Sequence, residues 1–437
     1  MGIRRQECGL DICAQTSDDR EMRELSTDQA QYIERMLGTG EYRQDPYPIY
    51  RHLRRHEPVR FSRAWNAWLI TRYTDVEGVL RNSEAFSSSG RLAKLIEPLP
   101  REQRKTVQNL IGSFSAGLQH TDPPDHTRIH GLVSRAFTPA FVNNMRQKIQ
   151  SFVDALLEPV LAQGRMDLVK DFALPLPVLV LGHLLGFSRD ECEQFRKWDN
   201  DVVALVGSRA GRTDVVERAQ RSIDEQVAWL GEVTERRRRE PREDLFGALV
   251  AGLDSGHIRS LAELHGTYLA ILIGGHETTT GLISSAMLLM LRHTDQLRKL
   301  RGNLSLMPTA IEECLRCESP LHAVTRVAAA EIQIGTTKIE KGQLIMAMVA
   351  AANRDPDVFP NPERFDITRR PNRHLAFGHG VHFCIGAPLA RLEGLLALST
   401  LLRRMRNIHL LVEDVEWIEN DIFRVPKSLP IEFEAVS

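Results

Sequence analysis

"AFGHGVHFCIGAPLARLE", residues 376–393, sets one cysteine among three glycines, two histidines and two phenylalanines, then runs into an amphipathic helical pattern. A thiol at a helix N-terminus is biased toward thiolate by the helix dipole and the free amide N–H groups. Gly378, Gly380 and Gly386 permit positive φ and let the main chain lie against a flat partner with no Cβ in the way. Phe377, seven residues before Cys384, is placed to pack beneath such a partner, and His382, two before it, to donate to an anionic edge. Standing alone, the turn reads as a buried core cysteine. It does not stand alone.

The chain around it has 437 residues, 42% hydrophobic, with 56 Lys+Arg against 57 Asp+Glu. That balance leaves no global field for nucleic acid or an anionic membrane. The run "ERRRREPRED" (235–244) carries acids on both sides and reads as a solvated helix end with a turn at Pro241. Length alone favours about three domains, but no Gly/Ser linker, Pro tract or repeat divides the chain. One large domain over 31–437 is expected, behind a polar, flexible extension over 1–30. The first 25 residues are too polar for a signal peptide or membrane anchor, and Gln6 breaks a myristoylation pattern. A soluble, cytoplasmic protein is expected.

Six cysteines in this length do not make a disulfide scaffold. Cys314 and Cys317 spell C-x-x-C, but no second pair follows for zinc, and Glu318 stands where a c-type haem site needs His.

Helical signals dominate. Thr138–Pro139 opens a run that stops at Gly164, Ser188 caps another, and 213–239, 259–293 and 308–317 read as further helices, with a last long one from near Cys384. Strand signals are short: 59–62 can pair with 67–71, and 332–349 alternates around Gly335 and Gly342. The fold class is mainly α with small antiparallel β-sheets. The stretch 86–120, broken by "SSSG" and "EPLP", reads as a long loop with a weak helix inside, and such loops are often lids.

"TYLAILIGGHETTTGLISSAMLLMLRH" (267–293) is apolar nearly all round, as in a buried helix. Adjacent Gly274 and Gly275 cost it about 2 kcal/mol relative to alanine. That cost implies close backbone approach or a local opening, or else tight packing with a back-bonded threonine. "HETTT" misses the metalloprotease pattern H-E-x-x-H at Thr280. In "AIEECLRCESP" (310–320), Glu313 and Arg316 share a helical face at i, i+3, and "FPNPERF" (359–365) offers Arg364 as a third member of a buried structural network.

"FGHGVHFCIG" fits F-x-x-G-x-H-x-C-x-G, and "GGHETT", "EECLR" and "PERF" precede it in order. With these motifs the chain resembles the cytochrome P450 superfamily in its soluble bacterial form. The resemblance runs from about residue 45 to the end and includes "TDPPDHTRIHGLVSRAFTP" (121–139) and "FRVPKSLPIEF" (423–433).

The resemblance implies a cytochrome P450 fold, with haem b held by Cys384 as the thiolate ligand of its iron; sulfur donation favours O–O cleavage. Amides around Ile385 and Gly386 would tune the sulfur. Glu277 and Thr278 are the implied acid and hydroxyl for proton delivery, and Gly274–Gly275 the groove for dioxygen. His126, Arg326 and His382 match propionate partners, and Phe377, Gly378 and Gly386 match haem contacts. Four residues after His126 the family's usual Arg is replaced by His130, which is titratable near neutral pH and removes a cation from the face where an electron donor docks; Arg128 and Arg135 are the candidates to compensate. Glu313, Arg316 and Arg364 match the network beneath the proximal face. Ile271, Leu321, Val324, Thr325, Ile422 and Phe423 are expected to line an apolar substrate pocket beside the 86–120 lid.

The implied activity is hydroxylation or epoxidation of a lipophilic small molecule in secondary-metabolite biosynthesis. It uses O2 and electrons from an external ferredoxin and ferredoxin reductase, because the chain carries neither a dinucleotide turn nor an iron–sulfur cysteine cluster. The rival readings are a peroxide-driven or non-oxidative haem enzyme, and a non-catalytic haem sensor.

Overall fold

The computed structural model describes residues 27–97, 99–206 and 213–436. Residues 1–26 of the expected extension lie outside them, as do Cys8 and Cys13. The chain is already helical at Thr27, the start of Thr27–Met36, so the expected boundary at residue 30 falls inside a helix.

Four of the major helices begin where the sequence supplies a side-chain cap. Thr138 accepts from the Phe141 N–H and Pro139 takes the first turn of Pro139–Leu161. Ser188 and Glu191 exchange side-chain and backbone hydrogen bonds at the start of Arg189–Val206, a capping box. Asp244 caps Leu245–Asp254 and Ser260 caps Leu261–Arg292. The last of these, about 48 Å long at 1.5 Å per residue, is buried on nearly all sides and is the axis of the fold. Pro175–Leu185, Met307–Cys317 and Ala387–Arg404 pack around it, while Arg189–Val206 and Thr213–Arg239 lie together over one side. The principal buried cluster runs from Ile33 to Phe433.

The sheets are small, as expected. One has five strands in the order Val59–Ser62, Ala67–Ile70, Leu344–Ala347, Val324–Ala328, Phe86–Ser87. Its pairings are antiparallel except that of Ala67–Ile70 with Leu344–Ala347, which is parallel and joins segments far apart in sequence. A second sheet orders Arg165–Asp167, Pro430–Ala435, Met405–Leu410, and Ile332–Ile334 pairs with Thr337–Ile339 across Gly335 at φ +57°.

The 86–120 stretch corrects the sequence reading. It holds three helices, Arg91–Ile96, Arg101–Thr106 and Gln108–Ser115, and a 3-10 turn at Leu118–His120. The "SSSG" break precedes the first helix and "EPLP" falls between the first and second, and packing of Gln108–Ser115 on the axial helix stabilises what propensity alone does not. The run 235–244 ends a helix as expected, though Arg237 is buried against Asp244 rather than solvated. One helical stretch among the described residues, Leu168–Leu185, is long and apolar enough to cross a membrane, and most of it is packed inside the fold.

Candidate active site

The cysteine loop closes on itself. The Cys384 N–H donates to Phe377 O at 2.9 Å, Gly378 N–H to Leu375 O at 2.8 Å, and Phe383 N–H to Gly380 O at 3.0 Å. Gly378 and Gly380 both sit at φ +72°, and a Cβ on Gly380 would come within 2.8 Å of Leu80 O, so a side chain there is doubly excluded. Gly386 ends the loop and Ala387–Arg404 begins. The half-buried Cys384 thiol faces a cavity of about 310 Å3. Burial pushes that thiol up, against the expected thiolate bias, while the Gly386 and Ala387 amides and the Arg391 cation pull it down.

Across the cavity stand Gly274, Gly275 and Thr278 of the axial helix. The helix does not open here, contrary to one of the two expectations for the paired glycines. Gly275 is the point of close approach, where a Cβ would lie 2.9 Å from Leu181, and Gly274 faces open space. Thr278 Oγ1 donates back to Gly274 O at 2.6 Å. Glu277, expected beside Thr278, does not line the cavity; it is buried, 3.3 Å from His276. Successive helical residues point about 100° apart, and that turn carries Glu277 away.

One rim of the cavity is basic. His126, His130, Arg326 and His382 converge on it, as expected. The His126 ring centroid lies 4.2 Å from that of His382 and 5.4 Å from that of His130. Arg91 and His120, which the sequence reading missed, join them. Both arginines are buried, and among the described residues neither pairs with a carboxylate: Arg326 donates to Thr325 O, and Arg91 to Thr325 O, Gln119 O and His120 Nδ1. Arg91 only donates, so Nδ1 of His120 is an acceptor, and its proton is on Nε2, which is buried and unpartnered. Burial lowers Arg91 to about 9 and Arg326 to about 10. Burial and neighbouring cations hold His126 down to about 4 and His382 to about 2. Asp122, the nearby acid, is engaged by Ser87 and Ser88. Arg128 does not compensate for His130, because Glu263 and Asp125 hold its guanidinium; Arg135 is exposed.

All six expected pocket residues, Ile271, Leu321, Val324, Thr325, Ile422 and Phe423, line the cavity, and so do Phe377, Gly378 and Gly386. Leu92, Leu95, Phe114 and Val203 add apolar surface.

The network beneath the loop needs one correction. Glu313 and Arg316 are fully buried and bidentate at 2.8 and 2.9 Å. The third cation is Arg369, whose Nε donates to both Glu313 oxygens at 3.1 and 3.2 Å, and not Arg364, which is exposed and gives only its carbonyl oxygen, to Arg316 and Arg369. Cys314 and Cys317 pack in the same helix. Burial pushes Cys314 well up and Cys317 to about 12, the opposite of what a redox or metal site requires.

A family model described as Cytochrome P450 matches residues 92–430. The chain belongs to the cytochrome P450 family. It is 38% identical over 398 residues to Cytochrome P450 107B1 of Saccharopolyspora erythraea, covering 89% of this chain and 95% of that one. It is 34% identical over 403 residues to the Polyketide biosynthesis cytochrome P450 PksS of Bacillus subtilis, covering 90% and 96%. The solved structure of P450BioI in complex with acyl carrier protein ligated by hexadec-9Z-enoic acid superposes with a TM-score of 0.83 at 34% identity, covering 90% of this chain and all of that one.

P450 enzymes are monooxygenases that carry haem b on a cysteine thiolate and act with O2 on lipophilic substrates. This P450's residues fit that group. A flat macrocycle in this cavity would meet apolar walls, and its two carboxylates would find the donors of the basic rim, including the unpartnered Nε2 of His120.

Proposed function

We propose that this P450 inserts one oxygen atom from O2 into a lipophilic small molecule in natural-product biosynthesis, in the cytoplasm, with two electrons from a ferredoxin and its reductase. Cys384 would hold the haem iron through its thiolate, whose electron donation favours O–O cleavage. His126, His130, Arg326 and His382 hold the propionates, and the loop from Phe377 to Gly386 carries one face of the ring. Thr278 and Glu277 serve proton delivery. Residues 31–437 act as one domain.

The observation that carries this reading is an apolar cavity with the Cys384 thiol on one wall and Gly274 and Thr278 on the other. Away from the basic rim its lining is mostly apolar, which supports a lipophilic substrate. The named function of PksS supports a biosynthetic role. Arg135, exposed near His130, supports docking of an acidic electron donor.

The test is a lipophilic library screened for spin-state shifts of the ferric protein, followed by turnover of the ligands found. Product with NADPH, ferredoxin and reductase, and little with peroxide alone, is expected; product with peroxide alone and none with the electron-transfer system refutes the assignment.

A further inference from the structure

His276 lies inside the axial helix with no access to the cavity, 3% exposed, between two buried carboxylates. Its Nδ1 is 3.0 Å from Leu272 O, which only accepts, so Nδ1 carries hydrogen. Its Nε2 is 3.3 Å from Glu277 Oε1. That is an ion-pair distance without hydrogen-bond alignment, so among the described residues Nε2 is buried beside the carboxylate with no hydrogen-bond partner. The second carboxylate is Asp199 of Arg189–Val206, 1% exposed, with Oδ2 3.8 Å from His276 Nδ1 and Oδ1 accepting from Gln226 Nε2 at 3.4 Å. Val203 of that same helix lines the cavity, so Asp199 belongs to its roof.

We propose that Asp199 and His276 are positioning residues for Glu277: the imidazole, clamped from the roof helix, holds the carboxyl and a proton one residue from Thr278, so that proton delivery depends on the roof being in place. This rests on the assignment of Glu277 and Thr278 above. The imidazolium is stable enough for the role. Burial lowers the His276 pKa, but Glu277, Asp199 and the Leu272 carbonyl outweigh it and raise it to about 9. Burial raises Asp199 to about 6, against the pull of His276 and Gln226. Tyr268 is the further titratable group near Asp199. Pro175–Leu185 brings Leu181 against Gly275, and Thr213–Arg239 brings uncharged Gln226.

The test uses the holoenzyme with ferredoxin, reductase and O2, without organic ligand, and measures hydrogen peroxide released per electron pair across pH, alongside the His276 imidazole titration by 15N NMR of the diamagnetic ferrous–CO form. Asp199→Asn keeps the volume and removes one charge. It is expected to move the rise in peroxide and the imidazole titration together to lower pH by about one unit. His276→Gln is expected to raise peroxide several-fold at every pH, toward the level of Thr278→Ala. If Thr278→Ala raises peroxide while Asp199→Asn leaves the pH limb in place, the inference fails and the assignment of the pair stands. If Thr278→Ala changes nothing, the underlying assignment fails as well.

Discussion

Replacing Arg369 by alanine separates the network observed here from the one the motifs imply. Arg369 is nearly buried, and its Nε donates to both oxygens of a fully buried Glu313. Hydrogen bonds to charged groups contribute about 1.5–3 kcal/mol each. Glu313 keeps Arg316, Asn372 Nδ2 and the Asp366 N–H as partners, so the carboxylate is not stranded. The expected loss is about 2–4 kcal/mol, below the ~3–5 kcal/mol of breaking a buried pair outright. With an unfolding entropy near 2.1 cal/mol/K per residue, 437 residues give about 0.9 kcal/mol/K, so Tm falls by about 2–4 °C. Arg364→Ala removes an exposed side chain and keeps the carbonyl that Arg316 uses, so its cost stays within about 0.5 kcal/mol. Calorimetric melts of both variants, loaded with haem and scanned at one rate, make the comparison. A loss for Arg364→Ala equal to or larger than that for Arg369→Ala refutes the geometry.

Two further substitutions follow from the same contacts. In the haem-free chain, Gly275→Ala is expected to destabilise by about 1–3 kcal/mol, because its methyl meets Leu181 at 2.9 Å; Gly274→Ala faces the open cavity and gains about 1 kcal/mol of helix propensity instead. Melts showing equal effects count against the close approach of Pro175–Leu185 to the axial helix. Glu312 is raised by burial, but hydrogen bonds from Arg391 and His374 dominate and bring it to about 2. Its folded pKa lies below its ordinary value of 4.5, so the stability it contributes is present above that value and is lost as pH falls toward 2. Acid titration of the unfolding midpoint is expected to be flatter between those limits for Glu312→Gln than for the native chain, and identical slopes dispose of the linkage.

The sequence made the axial helix, the cysteine loop and the pocket wall legible because each is local: caps, glycines and periodic apolar residues act within a few positions. What it hid depends on distance. Arg369 replaces Arg364 because the chain after Phe365 turns back under Met307–Cys317, a contact no spacing encodes. Arg91 and His120 sit in a stretch whose weak propensities read as loop, and their role appears only once Arg326 packs beside them. His276 stood within a motif but drew notice only as a failed zinc pattern, since its partner Asp199 lies 77 positions earlier on another helix.

The most direct measurement is the spectrum of the reduced protein under carbon monoxide, for the native chain and for Cys384→Ser. The account predicts the strongly red-shifted Soret band of thiolate ligation in the first and its loss in the second, with Cys314→Ser and Cys317→Ser unaltered. A Cys384→Ser protein that keeps the shifted band, or a native protein that binds haem without it, contradicts the account.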